Sequence, residues 1–354
     1  MFVSMVHPSN RNILYIGKLF AFCFILLAGC GDPKGADKQV YDPRDTTAVG
    51  KKIQEISLRI KDDPENTALL HDRAKLHMSR GDVANALLDM EKVINRDTTN
   101  ADYFLTLSDV HLAATKPGRS KAALEKCLSI DPENKLAYEK LAELYFIAQQ
   151  YKEAIVNLDA VLRLEITNPK AYFMKGMCFR DMGDTTRAIS SFQTCIEQDP
   201  KHYNANLQLA MIYHARNQPV AEQYYDAALR IEPQSTDALY GRGLWFQENR
   251  RDYNSAIRDY TSAITFNPKA AQAHFALGFI HYQYLQVYDQ AIRHFNDAIQ
   301  ADPKWPEAWF NRGLSYEAKG DIAAASNDYR KALELNPGYA NAQRALQRIG
   351  SPTP

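Results

Sequence analysis

The sequence predicts an all-α fold: a right-handed superhelical solenoid of about eight helix-turn-helix units, with a capping helix at each end. Two rows of small residues, in phase with one another, carry this prediction. Ala86, Ser120, Ala154, Ala188, Ala221, Ala256, Ala291 and Ala325 recur every 33 to 35 residues, and Ala74, Ser108, Ala142, Gly176, Ala210, Gly243, Gly278 and Gly313 keep step with them. Such a period means that each unit buries its apolar face on its neighbours, so the chain builds a stack rather than one globular core. A third observation fixes the unit ends. Pro132, Pro200, Pro233, Pro268, Pro303 and Pro337 close most units, because the ring cannot continue a helical ladder and biases its predecessor out of helix.

In chain order, residues 1–29 read as an export signal. Arg11 and Lys18 form a basic flank, and Leu19 to Ala28 is an unbroken apolar run too short to span a bilayer as a helix. The run ends in Leu27-Ala28-Gly29-Cys30, which resembles the bacterial lipobox. That resemblance implies acylation of Cys30, which becomes the mature N-terminus; the alternative is an ordinary secretory signal with a chance cysteine. Several acyl chains hold a protein on a membrane where one would be marginal. Gly31, rather than Asp, follows the cysteine, which favours the outer membrane. Residues 30–45 are polar, contain Pro and Gly and lack apolar periodicity, as expected of a flexible tether. Residues 46–66 then place Ile53, Ile56 and Ile60 on one helical face, the pattern of a capping helix without a partner.

Each of the eight units over residues 67–339 reads as two helices. In the first, large side chains flank the small position: Leu70, Phe104, Tyr138, Tyr172, Leu239, His274 and Trp309 precede it by four residues, with Asn206 the exception. His77, His111, Tyr145, Phe179, Tyr213, Phe246, His281 and Tyr316 follow it by three. A turn comes next, often with Gly-Asp. The second helix carries its small residue and, four later, Met90, Leu124, Leu158, Phe192, Tyr225, Tyr260, Phe295 or Tyr329. Two helices approach closely only where neither is bulky, and the large residues fill the grooves beside that contact.

This pattern resembles the tetratricopeptide repeat. The last unit is the most complete, with Trp309, Arg312-Gly313, Tyr316, Gly320-Asp321, Ala325, Tyr329, Ala332 and Pro337. Departures are local: Thr98 and Ile166 stand where a closing proline is expected, and units five to seven lose or gain one residue in the inter-helix turn. Residues 340–354 are read as a more polar capping helix and tail.

Composition narrows the function. Lys and Arg number 42 against 42 Asp and Glu, a balance that argues against a nucleic-acid partner. Of five cysteines, Cys127, Cys178 and Cys195 remain beyond Cys30. An odd number without CxxC spacing is no disulfide framework, and small buried packing residues are the expected role. The chain contains no GxGxxG, P-loop, GxSxG or HExxH, so no catalytic residue and no cofactor is expected. His274 and His281, with His294 nearby, suggest a metal, but the first two occupy the large-residue positions of the repeat; packing is expected instead.

The resemblance implies that first helices line a concave groove where partners bind. The groove offsets fall on Asp72, Lys75, Asp102, Asp109, Glu139, Lys140 and Glu143 in the early units. Later they fall on Phe173, Met177, Leu207, Met211, Tyr240, Leu244, Phe275, Phe279, Tyr282, Phe310 and Leu314. An apolar strip of that size marks an interaction site if exposed, and inter-repeat packing if not. The carboxylate clamp of chaperone adaptors is not expected, since its Lys positions hold His71, Leu105, Glu139 and Phe173, and of its residues only Asn311 is present. The leading expectation is therefore a lipid-anchored envelope scaffold that binds proteins or peptide segments, in the manner of tetratricopeptide lipoproteins that assist envelope assembly, secretion or pilus machines. A periplasmic or surface module for a peptide or glycan is the alternative; a metal-dependent hydrolase using the histidines is a third. The sequence specifies no oligomeric state.

Overall fold

The computed structural model describes residues 47–350; the signal, Cys30 and the tether lie outside them. The regular structure among the described residues is entirely helical. Helix α1 (Ala48–Asp62) precedes eight helix pairs, and α18 (Ala340–Gly350) follows them. The first four pairs are α2 and α3 (Thr67–Ser79, Val83–Arg96), α4 and α5 (Ala101–Ala113, Pro117–Ile130), α6 and α7 (Lys135–Ile147, Tyr151–Leu164), and α8 and α9 (Pro169–Asp181, Thr185–Gln198). The second four are α10 and α11 (Tyr203–Ala215, Val220–Ile231), α12 and α13 (Thr236–Trp245, Tyr253–Phe266), α14 and α15 (Ala271–Gln283, Tyr288–Ala301), and α16 and α17 (Pro306–Lys319, Ile322–Leu335). Two compact units result, one ending at Gln198 and the other beginning at Asp199. None of the described helices is long and apolar enough to cross a membrane.

The two small rows meet inside each pair, and the alanines of both are fully buried. The large residue of the second helix lies over the small residue of the first, and the two sizes are matched. Where the first helix has Ala or Ser (Ala74, Ser108, Ala142), the partner is aliphatic: Met90, Leu124 or Leu158. Where it has Gly, the partner is aromatic. A Cβ built on Gly176 would stand 2.5 Å from the Phe192 ring, on Gly243 2.6 Å from Tyr260, on Gly278 2.8 Å from Phe295 and on Gly313 2.7 Å from Tyr329. These rings lie flat on bare backbone. Tyr225 faces Ala210 in its own pair and lies instead over Gly241 of the next first helix, where a Cβ would meet it at 2.6 Å.

Every inter-helix turn places one residue in the left-handed region. Gly81, Gly183 and Gly320 occupy it at φ 74, 81 and 90°, but Thr115, Gln149, Asn217, Arg251 and Gln286 occupy it at 54 to 59°. That region is natural for Gly and costly for a β-branched residue such as Thr115. The extra residue of the sixth pair is absorbed in a π-turn, Phe246–Arg250, capped by Arg251.

A buried ion pair recurs one step from the small rows. Arg73 grips Asp89 through Nε and Nη2 at 2.7 and 2.6 Å, and its Nη1 donates to Ser57 of α1 at 3.0 Å. Arg242 pairs likewise with Asp259, and Arg312 with Asp328. Bidentate geometry satisfies both partners in the interior. The capping helices are tied in by packing and charge: α1 buries Ile53, α18 buries Ala342 and Ala345, and Arg348 of α18 donates to Glu317. Cys127, Cys178 and Cys195 are buried thiols; burial pushes Cys127 up to about 11 and Cys178 up to about 12.

Candidate protein-interaction surface

The first helices of each unit present the residues that the groove offsets select. In the unit ending at Gln198, Phe173 and Met177 are half-buried and stand one turn apart on α8, so they share a face. Phe173 tilts against Phe192 of α9 with ring centroids 5.7 Å apart. Beside them the acidic residues form a ladder with lysines of the following first helix. Lys140 Nζ binds Asp109 at 2.6 Å, and Lys170 Nζ binds Glu143 at 2.8 Å and Glu139 at 3.6 Å. Much of the expected acidic face is therefore neutralised within the unit. His71 lies near Asp72 and Asp102, and burial, with Lys75 nearby, holds its imidazole below the ordinary range.

In the unit beginning at Asp199 the expected apolar strip is corrected. Met211 and Tyr282 are half-buried, but Tyr240, Leu244, Phe275, Phe279, Phe310 and Leu314 are each at most 8% exposed, and Leu207 is buried with them. The reason lies at the helix entrances. The first six pairs begin their first helices on Asn66, Asn100, Asn134, Asn168, His202 and Ser235, whose side chains accept from backbone amides. The corresponding positions here are Trp305, at the entrance to α16, and Tyr339, before α18. Phe275 stacks on Trp305 at 4.5 Å and meets Phe295 edge-on at 5.4 Å. Phe310 packs on Tyr339 at 5.1 Å and Tyr329 at 5.5 Å, and Tyr240 on Tyr260 at 5.7 Å. The Phe275–Trp305 and Phe310–Tyr339 contacts join neighbouring repeats, and the other three lie within a helix pair. Asn311 is 4% exposed, and its amide donates to the Glu307 carbonyl, so it offers nothing to a ligand carboxylate.

Exposed apolar side chains lie elsewhere, where the sequence reading did not look. In the second unit Tyr284, Leu285 and Val287 stand in the turn between α14 and α15, with Tyr253 stacked on Tyr284 at 4.0 Å. In the first, Ile147, Val156 and Ile166 are each about two-thirds or more exposed (65%, 66% and 72%). They sit at a helix end, on an outer second helix and in a loop, positions that no groove offset selects.

His274 and His281 are buried at the repeat's large positions. His274 Nε2 donates to the Pro268 carbonyl at 3.1 Å, and His281 Nδ1 to the Leu277 carbonyl at 2.8 Å. His294 of α15 lies beside both, with its ring centroid 6.3 Å from that of His274 and 5.2 Å from that of His281.

A tetratricopeptide-repeat family model matches residues 59–308, and a second matches residues 306–339. Among curated proteins, anaphase-promoting complex subunit 3 of Dictyostelium discoideum is 33% identical over 81 residues, which is 23% of this chain and 8% of that protein. The human mitochondrial import receptor subunit TOM70 is 23% identical over 199 residues, 52% of this chain and 32% of that protein. The chain thus spans less than a third of the length of either. Among solved structures, the C-terminal part of a tetratricopeptide repeat-containing protein from Cytophaga hutchinsonii aligns with a TM-score of 0.57 at 14% identity, over 68% of this chain and 98% of that one. Pseudomonas aeruginosa pilF aligns with a TM-score of 0.50 at 17% identity, over 62% of this chain and 96% of that one. Both show a common fold. With the family pattern matched across most of its length and realised in eight helix pairs, the chain belongs to the tetratricopeptide repeat family, a class of generally non-enzymatic scaffolds for protein partners.

Proposed function

We propose that this protein is a scaffold held at the outer membrane by lipid on Cys30, and that it grips a peptide segment of another envelope protein. Assembly, secretion or pilus-type machines are the setting in which such a holder is useful. The anchor rests on one observation, the sequence Leu27-Ala28-Gly29-Cys30 closing an apolar run that follows a basic flank. Binding rests on the family and on the part of the groove that stays accessible. Phe173 and Met177 supply an aromatic and an adaptable apolar contact on one face of α8, next to the lysine–carboxylate ladder. Met211 and Tyr282 are the accessible groove residues of the second unit. A fitting ligand is an extended or helical segment with apolar anchors, flanked by charges that exchange with the ladder.

Two experiments test the two halves separately. Cys30→Ser should leave the precursor unprocessed and without acyl chains; normal maturation of that variant refutes the anchor. A photo-crosslinking residue at 173 or 177, activated in intact membranes, should capture an envelope protein. Capture at neither position, with the helical signal intact, refutes the groove.

A further inference from the structure

The seventh repeat carries a histidine where the first, sixth and eighth repeats pair an aspartate with an arginine. The first helices of the first, sixth and eighth pairs carry Arg73, Arg242 and Arg312 just before the small residue, and the second helices carry Asp89, Asp259 and Asp328 to receive them. In the seventh pair these positions hold Leu277 and His294. Leucine offers His294 no polar partner, and His294 Nδ1 is buried with no hydrogen bond. A second nitrogen in the same place is equally orphaned. His274 is 7% exposed, and its Nδ1 is buried without a hydrogen bond, 3.8 Å from a carboxylate oxygen of Asp297. Buried polar atoms are almost always satisfied, and these two belong to neighbouring rings whose centroids lie 6.3 Å apart.

We propose that the seventh repeat binds a divalent transition-metal ion of zinc character through His274 Nδ1, His294 Nδ1 and a carboxylate oxygen of Asp297. One donor atom from each of the three residues lies within 4.8 Å of the other two, and His274 Nδ1 stands 3.8 Å from Asp297 Oδ2. Donors around a four-coordinate zinc at about 2.0–2.2 Å stand about 3.3 Å apart, so closure needs side-chain movement of about 1 Å. Asp297 is 46% exposed at its side chain and free to supply that movement. His294 and Asp297 are three residues apart on α15, hence on one face, while His274 comes from the paired helix α14. The tautomer of His274 is already set. A carbonyl can only accept, so the Pro268 contact requires the proton on Nε2, and the neutral ring presents its Nδ1 lone pair to the cluster. Ligating histidines are oriented by a second contact of this kind. The Leu277 carbonyl sets the tautomer of His281 in the same way. Two imidazoles and one carboxylate suit zinc rather than calcium or magnesium, which prefer all-oxygen sites. The ion would join α14 to α15 within one repeat, and it needs no partner protein.

The test uses the full chain without a histidine tag, stripped with chelator and titrated with zinc chloride by calorimetry. The expected result is one zinc per chain, with a dissociation constant of about 1 μM or tighter and a raised unfolding midpoint. Asp297→Asn replaces a half-exposed carboxylate without disturbing the core, and His274→Gln removes the best-buried donor. Each should weaken binding about tenfold or more, while His71→Gln, outside the cluster, should not. Failure to bind zinc, affinity unchanged in both cluster variants, or an equal loss in His71→Gln overturns the assignment.

Discussion

Gly176 and Phe192 offer the sharpest test of the packing rule that builds these repeats. A methyl group at Gly176 would meet Phe192 Cε1, Cδ1 and Cζ at 2.5, 2.6 and 2.9 Å. Comfortable carbon contacts lie near 3.5–4.0 Å, so the ring must retreat by about 1 Å. It has nowhere to go, being 0% exposed between α8 and α9. Overpacking of this kind costs about 1–3 kcal/mol, against a gain of about 1 kcal/mol because Ala is a better helix former than Gly. Gly176→Ala is therefore expected to destabilise by about 1 kcal/mol net. Phe192→Leu alone leaves unfilled space and costs about 1–2 kcal/mol. Together the two changes recreate the pair found in the third repeat, Ala142 with Leu158, both 0% exposed. The double variant should be more stable than the sum of the single losses by at least about 1 kcal/mol. Urea unfolding followed by circular dichroism gives all four corners of the cycle, with a shared slope confirming one transition. Losses that add to within about 0.5 kcal/mol would refute the claim that residue size is matched across the pair.

Three further outcomes follow from burial, backbone and titration. Asp89→Ala leaves Arg73 buried beside Ser57 alone and should cost about 3–5 kcal/mol in the same assay, whereas Asp289→Ala, whose partner Lys319 is surface-exposed, should shift the midpoint little. Thr115→Gly relieves a β-branched residue at φ 56° and should raise stability by about 1 kcal/mol; a loss would mean that its side chain contributes more than the backbone strain removes. Burial lowers His71, His111, His202 and, to about 4, His294, from an ordinary value of 6.5. An unfolded chain then binds more protons than the folded one below pH 6.5, so stability is full above that pH and falls as the solution is acidified toward pH 4. Metal-free His294→Gln should show a shallower fall; an unchanged profile would remove His294 from the account.

The period alone revealed the eight units, because each small row marks the one place where two helices can touch. The match of glycine to aromatic was also present in the sequence, but only a pairwise comparison between rows exposes it: Gly176 against Phe192, Ala142 against Leu158. The fate of the apolar strip was not legible in the same way. An offset states which face of α14 carries Phe275, yet whether that face is open depends on Trp305, thirty residues later and outside any groove position. Covering residues of that kind act between repeats, and a pattern read within repeats misses them.

The histidines teach the complementary lesson. Occupying a large-residue position accounts for the bulk of His274 and His281, and that is enough to explain why those rings are buried. It does not account for the lone pairs. Leu70, Phe104 or Tyr138 fills the His274 position in other repeats with no Nδ1 to satisfy, whereas the His281 position also holds His77 and His111. The informative comparison is between columns: His294 stands where Asp89, Asp259 and Asp328 each face an arginine, and opposite it is Leu277, as Leu107, Leu141 and Leu209 are in other repeats. A repeat protein explains most of its residues by their column, so the residues that break a column and leave a buried polar atom behind are the ones that require a ligand.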